Sequence, residues 1–328
     1  MAKSKVSVII PVYNVASYIE RCARSLFGQT LREMEFIFVD DSSPDRSIQI
    51  VREVLKEFPH RVHQVKFLRH EQNKGLPAAR NTGLRVATGE YIYHCDSDDY
   101  LEPDALETMY RAAKANDADI VWCDWFLSFE HNERYMKQPA YPTAYEALKG
   151  ILNGRMKYNV WNKLVRRELY TLNDIWFPAG YGMGEDMTMI RLFACAGQVA
   201  YVPRAFYHYV KLNREAFTNT MSERHLSAVL HNTAETVSFL QKRYGSTLEG
   251  EIGTFKLTVK YPFLIGDDWS QYRLWKNCFP EANPFISRFR QLSLRSWLLQ
   301  LAALHGHYWL LWLHYKLVYK LMYGIIYK

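Results

Sequence analysis

Three carboxylates stand close together in CDSDDY, residues 95–100. Asp96, Asp98 and Asp99 directly follow the apolar run at residues 90–94, whose composition predicts a buried β-strand. Acids at the end of such a strand offer hard oxygen ligands at the carboxyl edge of an open α/β sheet, where ligands commonly bind. For this pattern alone, an acidic turn that caps the next helix is the alternative interpretation.

Two further acidic pairs follow other predicted elements. Asp40 and Asp41 come directly after the second apolar segment, and Glu185 and Asp186 follow a glycine-rich loop at residues 179–184. Structural roles account for such acids on their own, because aspartate and glutamate favour turns and the first turn of a helix. Spacing alone therefore leaves both pairs open between structural and catalytic roles.

Strands and helices that alternate along the first part of the chain must position these acids. Runs of β-branched and aromatic residues predict buried strands at 6–14, 35–39, 65–68, 90–94 and 118–124. Segments with helical spacing of apolar residues separate them. This alternation predicts an α/β fold with a mainly parallel, twisted sheet that helices cover on both faces.

The composition indicates a basic protein with reduced cysteines. The 328 residues carry a formal net charge of +7, which favours an anionic partner: nucleic acid, an acidic membrane surface or a phosphorylated small molecule. The five cysteines lie far apart without C-x-x-C spacing, and this favours a cytoplasmic setting. The first strand begins so close to Met1 that we expect no signal peptide.

Residues 293–328 differ in character from the rest of the chain. They are rich in tryptophan, leucine and tyrosine, and basic residues interrupt them. No apolar run reaches the roughly 18 to 20 residues that a membrane-spanning helix requires. An amphipathic helix or helical hairpin in the membrane surface fits this composition, and the leucine content favours lipid over nucleic acid. The alternative is a helix packed on the protein's own core or in an oligomer.

Five motifs follow one another along the chain. They are VSVIIPVYN at 6–14, VDDSS at 39–43, NKGLPAARNTGL at 73–84, GEY at 89–91 with DSDD at 96–99, and GEDM at 184–187. Their order and spacing resemble the family 2 inverting glycosyltransferases of the GT-A fold, especially the bacterial enzymes that build capsular or surface polysaccharides. The resemblance is close over residues 5–125 and looser to about residue 215.

The resemblance implies a domain organisation in three parts. A GT-A glycosyltransferase domain spans residues 1–215, with a nucleotide-sugar half at 5–125 and an acceptor half at 126–215. A helical accessory region at 216–292 and a membrane-associating tail at 293–328 follow it. The implied fold class is therefore α/β and Rossmann-like, with a C-terminal helical extension.

The resemblance also implies residues that bind the donor. In the family, the turn after the first strand lies against the nucleobase and ribose, which points to Pro11 and Tyr13. Asp41 resembles the family's base-contacting carboxylate, with Asp40 either beside it or a structural turn residue. Arg80 is similar to a residue that reaches a base edge or a phosphate, and a surface salt bridge is its alternative role.

A divalent cation is implied by the D-x-D motif. Asp96 and Asp98 match this motif, in which the first acid usually reaches the ribose and the second binds the metal. Carboxylates suit Mg²⁺ or Mn²⁺, which would neutralise the diphosphate leaving group. Asp96 is a second candidate ligand, and so is His208, although a lone histidine on a strand is commonly structural.

The remaining implied roles concern the acceptor. Asp186 matches the family's E-D motif, which implies a general base for the acceptor hydroxyl, with Glu185 orienting the acceptor or supporting the loop. A single displacement of this kind inverts the anomeric centre. Trp161, Asn162 and Lys163 resemble a segment that lines the acceptor side, although Trp161 fits a core position equally well.

These roles predict transfer of one sugar from a nucleotide-diphosphate sugar, UDP-linked in most relatives, to a saccharide or lipid-linked oligosaccharide at the inner face of the membrane. The Q-x-x-R-W motif of processive synthases is absent from the sequence. The alternatives are an inactive membrane-associated nucleotide-sugar-binding protein and a nucleotidyltransferase. A nucleotidyltransferase is disfavoured because PVYN, at residues 11–14, occupies the place where a pyrophosphorylase would carry a glycine loop. An oxidoreductase that uses a dinucleotide is disfavoured because the sequence lacks a G-x-G-x-x-G motif.

Overall fold

A computed structural model of the chain describes residues 4–211 and 223–318. These residues divide into two compact units, the first made of 4–147, 158–211 and 223–236 and the second of 148–157 and 237–318. The predicted boundary at residue 215 lies outside the described residues, and the one at residue 292 falls within the second unit. The three-part organisation therefore stays a prediction.

The first unit is built on one sheet, to which its described residues contribute nine strands. These are β1 (Val6–Val12), β2 (Met34–Asp40), β3 (Val65–Arg69), β4 (Tyr91–His94), β5 (Tyr100–Leu101), β6 (Ile120–Ser128), β7 (Glu133–Met136), β8 (Lys163–Arg166) and β9 (Val199–Val210). They lie in the order β3-β2-β1-β4-β8-β6-β9-β5, with β7 beside β6.

The sheet is mixed rather than mainly parallel. β1 pairs in parallel with both β2 and β4, as predicted, but β8 is antiparallel to both β4 and β6. Hydrophobic periodicity identifies a buried strand but carries no information on its direction, which depends on the connections between strands. The α/β fold class with flanking helices is confirmed, and in the described residues the sheet combines four parallel with four antiparallel strand pairs.

The first two strands are interior strands of the sheet and are buried along their whole length. All seven residues of β1 and all seven of β2 are buried, as expected for strands covered on both faces. Glu35 is a buried charge within β2, and its carboxylate accepts hydrogen bonds from Ser7 Oγ and from the amides of Thr88 and Gly89. A Cβ at Gly89 would lie 2.6 Å from Ser7 N, so the glycine of the GEY motif permits the chain to enter β4 here.

Thirteen α-helices occur in the described residues, and α5 and α8 run across the division between the units. They are α1 (Ile19–Phe27), α2 (Ser47–Leu55), α3 (Leu76–Val86), α4 (Ala105–Ala115), α5 (Ala144–Leu152), α6 (Arg167–Leu172), α7 (Thr188–Cys195), α8 (Glu223–Tyr244), α9 (Glu249–Lys260), α10 (Trp269–Asn277), α11 (Phe289–Leu292), α12 (Leu294–Leu304) and α13 (Tyr308–His314). The start of α3 follows from sequence, because Gly75 has a φ of +85° and Pro77 lies in the first turn.

The second unit is helical, which confirms the predicted helical extension. Buried Lys260 closes the end of α9, where its Nζ donates to Cys278 O at 2.8 Å and to Asn283 Oδ1 at 2.7 Å. A turn at Gly306, with a φ of +76°, joins α12 to α13. No helix in the described ranges is both long and apolar enough to cross a bilayer. Residues 319–328 of the predicted tail lie outside the described residues, and membrane association stays a prediction.

Candidate active site

The acidic turn directly follows β4 and is fastened to β9. Asp96 and Asp98 keep partial exposure, whereas Asp99 is buried. Asp99 accepts hydrogen bonds from Tyr207 Oη and from Val210 N, both at 2.7 Å, and Tyr207 Oη also accepts from Asp96 N at 3.2 Å. Burial raises the pKa of Asp99 well above its usual range, and the charges of Asp98 and Asp96 raise it further. Asp99 therefore holds the turn that presents the other two acids.

Arg80 links this turn to the Glu185–Asp186 pair. It lies on α3 and is 1% exposed, which excludes the alternative of a surface salt bridge. Its Nη2 donates to Asp96 Oδ1 at 2.8 Å and lies 3.9 Å from Glu185 Oε1. Burial lowers the pKa of Arg80, but the carboxylates of Asp96, Glu185 and Asp186 outweigh burial and raise it. Two motifs that are distant in sequence thus meet at one guanidinium.

The Glu185–Asp186 pair is electrostatically unusual. Burial raises the pKa of Glu185, and the neighbouring Asp186 raises it further. Burial also raises the pKa of Asp186, although the positive charges of Arg80 and Lys163 oppose this. A carboxylate whose pKa lies above its usual range is a better proton acceptor than an ordinary surface acid.

Glycine and an asparagine shape the loop before this pair. Gly184, with a φ of +83°, precedes the short 3₁₀ turn Glu185–Met187. Asn232 Nδ2 donates to Tyr181 O at 3.0 Å and to Met183 O at 2.9 Å. The two bonds from Asn232 hold the loop. Glycine is favoured at position 184 because an L residue would be strained at this φ.

Pro11 and Tyr13 lie at the end of β1 but differ in exposure. Pro11 is buried within the strand, whereas Tyr13 is 48% exposed and open to a ligand. Asp45 braces the following loop, since its carboxylate accepts from Ala16 N at 2.8 Å and from Ser47 N at 3.0 Å. Burial opposes ionisation of Asp45, but hydrogen bonds, notably from Ser43 and Ser47, outweigh burial and lower its pKa.

Asp41 and Asp40 take different positions after β2. Asp41 is 3% exposed; its Oδ1 lies 2.6 Å from His70 Nδ1, and its two oxygens accept from Lys74 N and Gly75 N, each at 2.8 Å. Asp40 accepts from Ser43 N at 2.7 Å, which is the structural turn position predicted as its alternative. Asp41 therefore organises the loop that leads into α3.

The predicted acceptor residues are all buried. Trp161 stacks on Tyr207 with ring centroids 4.4 Å apart, and Asn162 Nδ2 donates to Cys123 O at 2.9 Å. Lys163 Nζ donates to Asn159 O at 2.7 Å and to Asn162 Oδ1 at 2.8 Å. The protein therefore encloses all three side chains in this arrangement. Trp161 supports Tyr207 behind the acidic turn, and the acceptor role stays a prediction.

His208 does not fit the predicted metal role. Its Nε2 lies 2.9 Å from Glu102 Oε1 and its Nδ1 lies 2.7 Å from Glu133 Oε1, so both ring nitrogens are already paired. Its ring also stacks on Tyr100 at 4.1 Å, across the pairing of β5 with β9. We therefore leave His208 out of the candidate metal site.

Asp96 and Asp98 match the ligand chemistry of a hard divalent cation. In the described ranges, no three His, Cys, Asp or Glu side chains are grouped as a metal cluster. The two carboxylates nevertheless lie on one turn, are partly exposed, and offer the oxygen donors that Mg²⁺ and Mn²⁺ take in nucleotide sites.

Sequence reasoning missed the residues that brace the site. Asp45 braces the loop after β1, His70 pairs with Asp41, and Tyr207 bonds Asp99 in the acidic turn, through the contacts given above. VDDSS is followed directly by Pro44 and Asp45, so turn chemistry could have identified Asp45. No pattern in the sequence marks Tyr207.

Two kinds of comparison identify relatives of the chain by sequence. The family model for glycosyl transferase family 2 matches residues 7–175. The putative glycosyltransferase EpsH of Bacillus subtilis is 33% identical over 64% of this chain, and the match spans 61% of its own length. The cholesterol galactosyltransferase of Borreliella burgdorferi is 31% identical over 90% of this chain and 77% of its own length.

Solved structures resemble the fold at lower sequence identity. S. aureus TarS 1–349 in complex with UDP-GlcNAc has a TM-score of 0.63 and 18% identity, with 95% of this chain and 91% of that chain covered. The mannosyltransferase PcManGT from Pyrobaculum calidifontis, in complex with GDP-Man and Mn²⁺, has a TM-score of 0.53 and 17% identity, with 92% and 86% covered. At these identities the likeness concerns the fold.

Proposed function

We propose that this chain, which belongs to glycosyltransferase family 2, transfers a single sugar from a nucleotide-diphosphate sugar to an acceptor hydroxyl with inversion of the anomeric centre. The observation that carries the proposal is the position of Arg80, whose Nη2 bonds Asp96 and lies 3.9 Å from Glu185. Donor-side and acceptor-side acids thereby belong to one site.

On the donor side, Tyr13 contacts the nucleobase and ribose, and Asp41 organises the adjoining loop. Tyr13 is the exposed aromatic at the end of β1, and an aromatic face can support a base. Asp41 accepts hydrogen bonds from the amides of Lys74 and Gly75, and Pro11 is buried near the end of β1. The complex of the TarS neighbour with UDP-GlcNAc supports a UDP-sugar as donor.

On the leaving-group side, Asp96 and Asp98 hold a divalent cation. A bound Mg²⁺ or Mn²⁺ supplies positive charge to the diphosphate as the glycosidic bond breaks. Arg80 orients Asp96 from the protein side through its 2.8 Å hydrogen bond. The Mn²⁺ in the mannosyltransferase neighbour supports this cofactor.

On the acceptor side, Asp186 removes the proton from the attacking hydroxyl. Burial raises its pKa, which strengthens it as a base, while Arg80 and Lys163 keep part of its population ionised. Glu185 orients the acceptor or supports the loop. One displacement without a covalent intermediate leaves the product with the opposite anomeric configuration.

The acceptor is a saccharide or a lipid-linked oligosaccharide of surface polysaccharide synthesis, at the inner face of the membrane. On α13, Trp309, Leu310, Trp312 and Leu313 are 37% to 57% exposed, while Leu311 is buried. Residues 148–157 and 237–318 contain thirteen lysines and arginines but five acids. An apolar helix face within a basic unit suits an anionic lipid surface. The cholesterol-acting relative supports a lipid acceptor.

The decisive experiment screens nucleotide sugars for release of nucleoside diphosphate by the purified chain, with and without Mn²⁺ or Mg²⁺. We expect one donor class to react only with metal, and nuclear magnetic resonance of the product to show inversion. Binding of nucleotide sugar without turnover would instead favour the inactive binding protein. Release of pyrophosphate from a nucleoside triphosphate would favour the nucleotidyltransferase.

A further inference from the structure

A cluster of buried polar atoms includes part of the Arg80 guanidinium. Arg80 Nε and Nη1, both ring nitrogens of His94, and the hydroxyl of Tyr170 have no hydrogen-bond partner in the described part of the chain. The three residues are 1%, 2% and 1% exposed. Each is therefore shielded from bulk water, and each such atom costs stability unless something satisfies it.

Phe177 forms a common wall for these three side chains. The Arg80 guanidinium lies 5.7 Å from the centre of its ring, the His94 ring 5.0 Å, and the Tyr170 ring 6.4 Å. The His94 and Tyr170 rings are 6.3 Å apart. Asn81 fixes this wall, because its amide donates to Phe177 O at 2.8 Å and accepts from Phe177 N at 2.9 Å.

The hydrogen-bonding capacities within the cluster are unequal. Arg80 Nε and Nη1 offer only donors, whereas neutral His94 offers one donor and one acceptor and Tyr170 offers both. Water both accepts and donates hydrogen bonds, and water molecules commonly satisfy polar atoms in buried sites of this kind.

We propose that water-mediated hydrogen bonds join His94 and Tyr170 to Arg80, and that the two are positioning residues for its guanidinium. The guanidinium of Arg80 is planar, so hydrogen bonds that fix Nε and Nη1 also fix where Nη2 points. That atom is the one that meets Asp96 and Glu185. The catalytic part of this inference rests on the proposed sugar transfer.

The test replaces His94 and Tyr170 and compares rates with stability. His94→Leu removes both ring nitrogens, and we expect kcat for transfer to fall about tenfold. We expect Tm to change little, because leucine fills the buried position and brings no polar atom that needs a partner. Tyr170→Phe removes only the hydroxyl, with an expected loss of about threefold. Since both act through Arg80, the double variant should lose less than the product of the two effects.

Two further variants separate positioning from packing. His94→Gln keeps a donor and an acceptor, and we expect it to recover part of the lost kcat. Tyr91→Phe is the matched control on the same strand, because its buried hydroxyl donates to Ala118 O at 2.9 Å and not to this cluster. Unchanged rates in His94→Leu and Tyr170→Phe, or losses that track a lower Tm, would overturn the positioning role.

A crystal structure of the parent chain tests the network independently of activity. We expect ordered water within about 3.2 Å of Arg80 Nε or Nη1 and of a His94 nitrogen. A direct bond between the side chains, or a cluster without water, would overturn the inference. If the parent transfers no sugar from any donor, the proposed function fails, whereas this structural result still decides whether the network exists.

Discussion

The two units of the chain differ in what they expose and in what they bury. In the first unit, exposed apolar side chains such as Val62 and Leu172 are isolated from one another in sequence, and the charged groups Arg80 and Glu185 are buried together. In the second, exposed tryptophan and leucine side chains follow one another along α12 and α13. We assign the buried charges to the proposed catalytic site and the exposed apolar residues to the proposed membrane surface. Mutations in the two units can therefore test these proposals separately.

The largest expected effect is the loss of sugar transfer when the proposed general base, Asp186, is replaced. Asp186→Asn keeps the shape but removes the proton acceptor, and we expect transfer to fall by roughly 10²- to 10⁴-fold. Vesicle binding should stay unchanged, because the proposed membrane surface lies in the second unit. Initial rates and co-sedimentation with vesicles measure both. Asp117→Asn, at an exposed position where φ is +44°, is the control and should keep full activity. Full activity of Asp186→Asn would refute the assigned base.

The second effect concerns attachment. Trp309→Ser combined with Trp312→Ser removes two exposed rings, and burial of apolar area at about 25 cal/mol per Å² predicts a loss of roughly a hundredfold in partitioning to vesicles with anionic lipid. Transfer to a water-soluble acceptor should persist. Leu172→Ser, an 81% exposed position in the first unit, is the control. If the double variant sediments with anionic vesicles as fully as the parent chain does, the proposed attachment through α13 is wrong.

The third effect is on stability within the first unit. Tyr207→Phe leaves buried Asp99 without the hydroxyl that now lies 2.7 Å away, and we expect unfolding to become easier by about 1 to 3 kcal/mol. Tyr110→Phe is the control, because its hydroxyl bonds the partly exposed Glu90 and should matter less. Denaturant unfolding measures both, and equal stability of the two variants would show that the turn is not held through Tyr207.

The smallest expected effect is in the pH profile. Burial raises the pKa of Asp186, and the carboxyl cannot accept a proton once it is protonated, so activity should fall with falling pH while ordinary aspartates are still ionised. Lys163, whose pKa burial lowers to about 7, is charged below that pH and favours ionised Asp186. Lys163→Met should therefore move the acidic limb of kcat/KM to higher pH by up to about one unit. Lys256→Met, in the second unit, should leave the limb in place, and an identical limb in Lys163→Met would contradict this electrostatic link.

Sequence alone predicted the parts of the molecule that depend on local pattern. The buried runs of β1 and β2 follow from their apolar composition. The direction of β8 and the partners of His208 could not be predicted from the sequence, because both depend on segments that are distant in the chain and meet only in the folded protein. The motifs identified the acids of the candidate site, whereas only the structure shows their contacts with Arg80.

Tyr207 and Val210 have a practical consequence for anyone who shortens the chain. The family match stops at residue 175, yet both partners of Asp99 come from β9, and Glu185 also lies beyond that limit. A fragment trimmed to the matched segment would lose both hydrogen-bond donors to Asp99, and Arg80 would lose Glu185 and Asp186. The smallest piece that could catalyse by itself must therefore extend at least through residue 210.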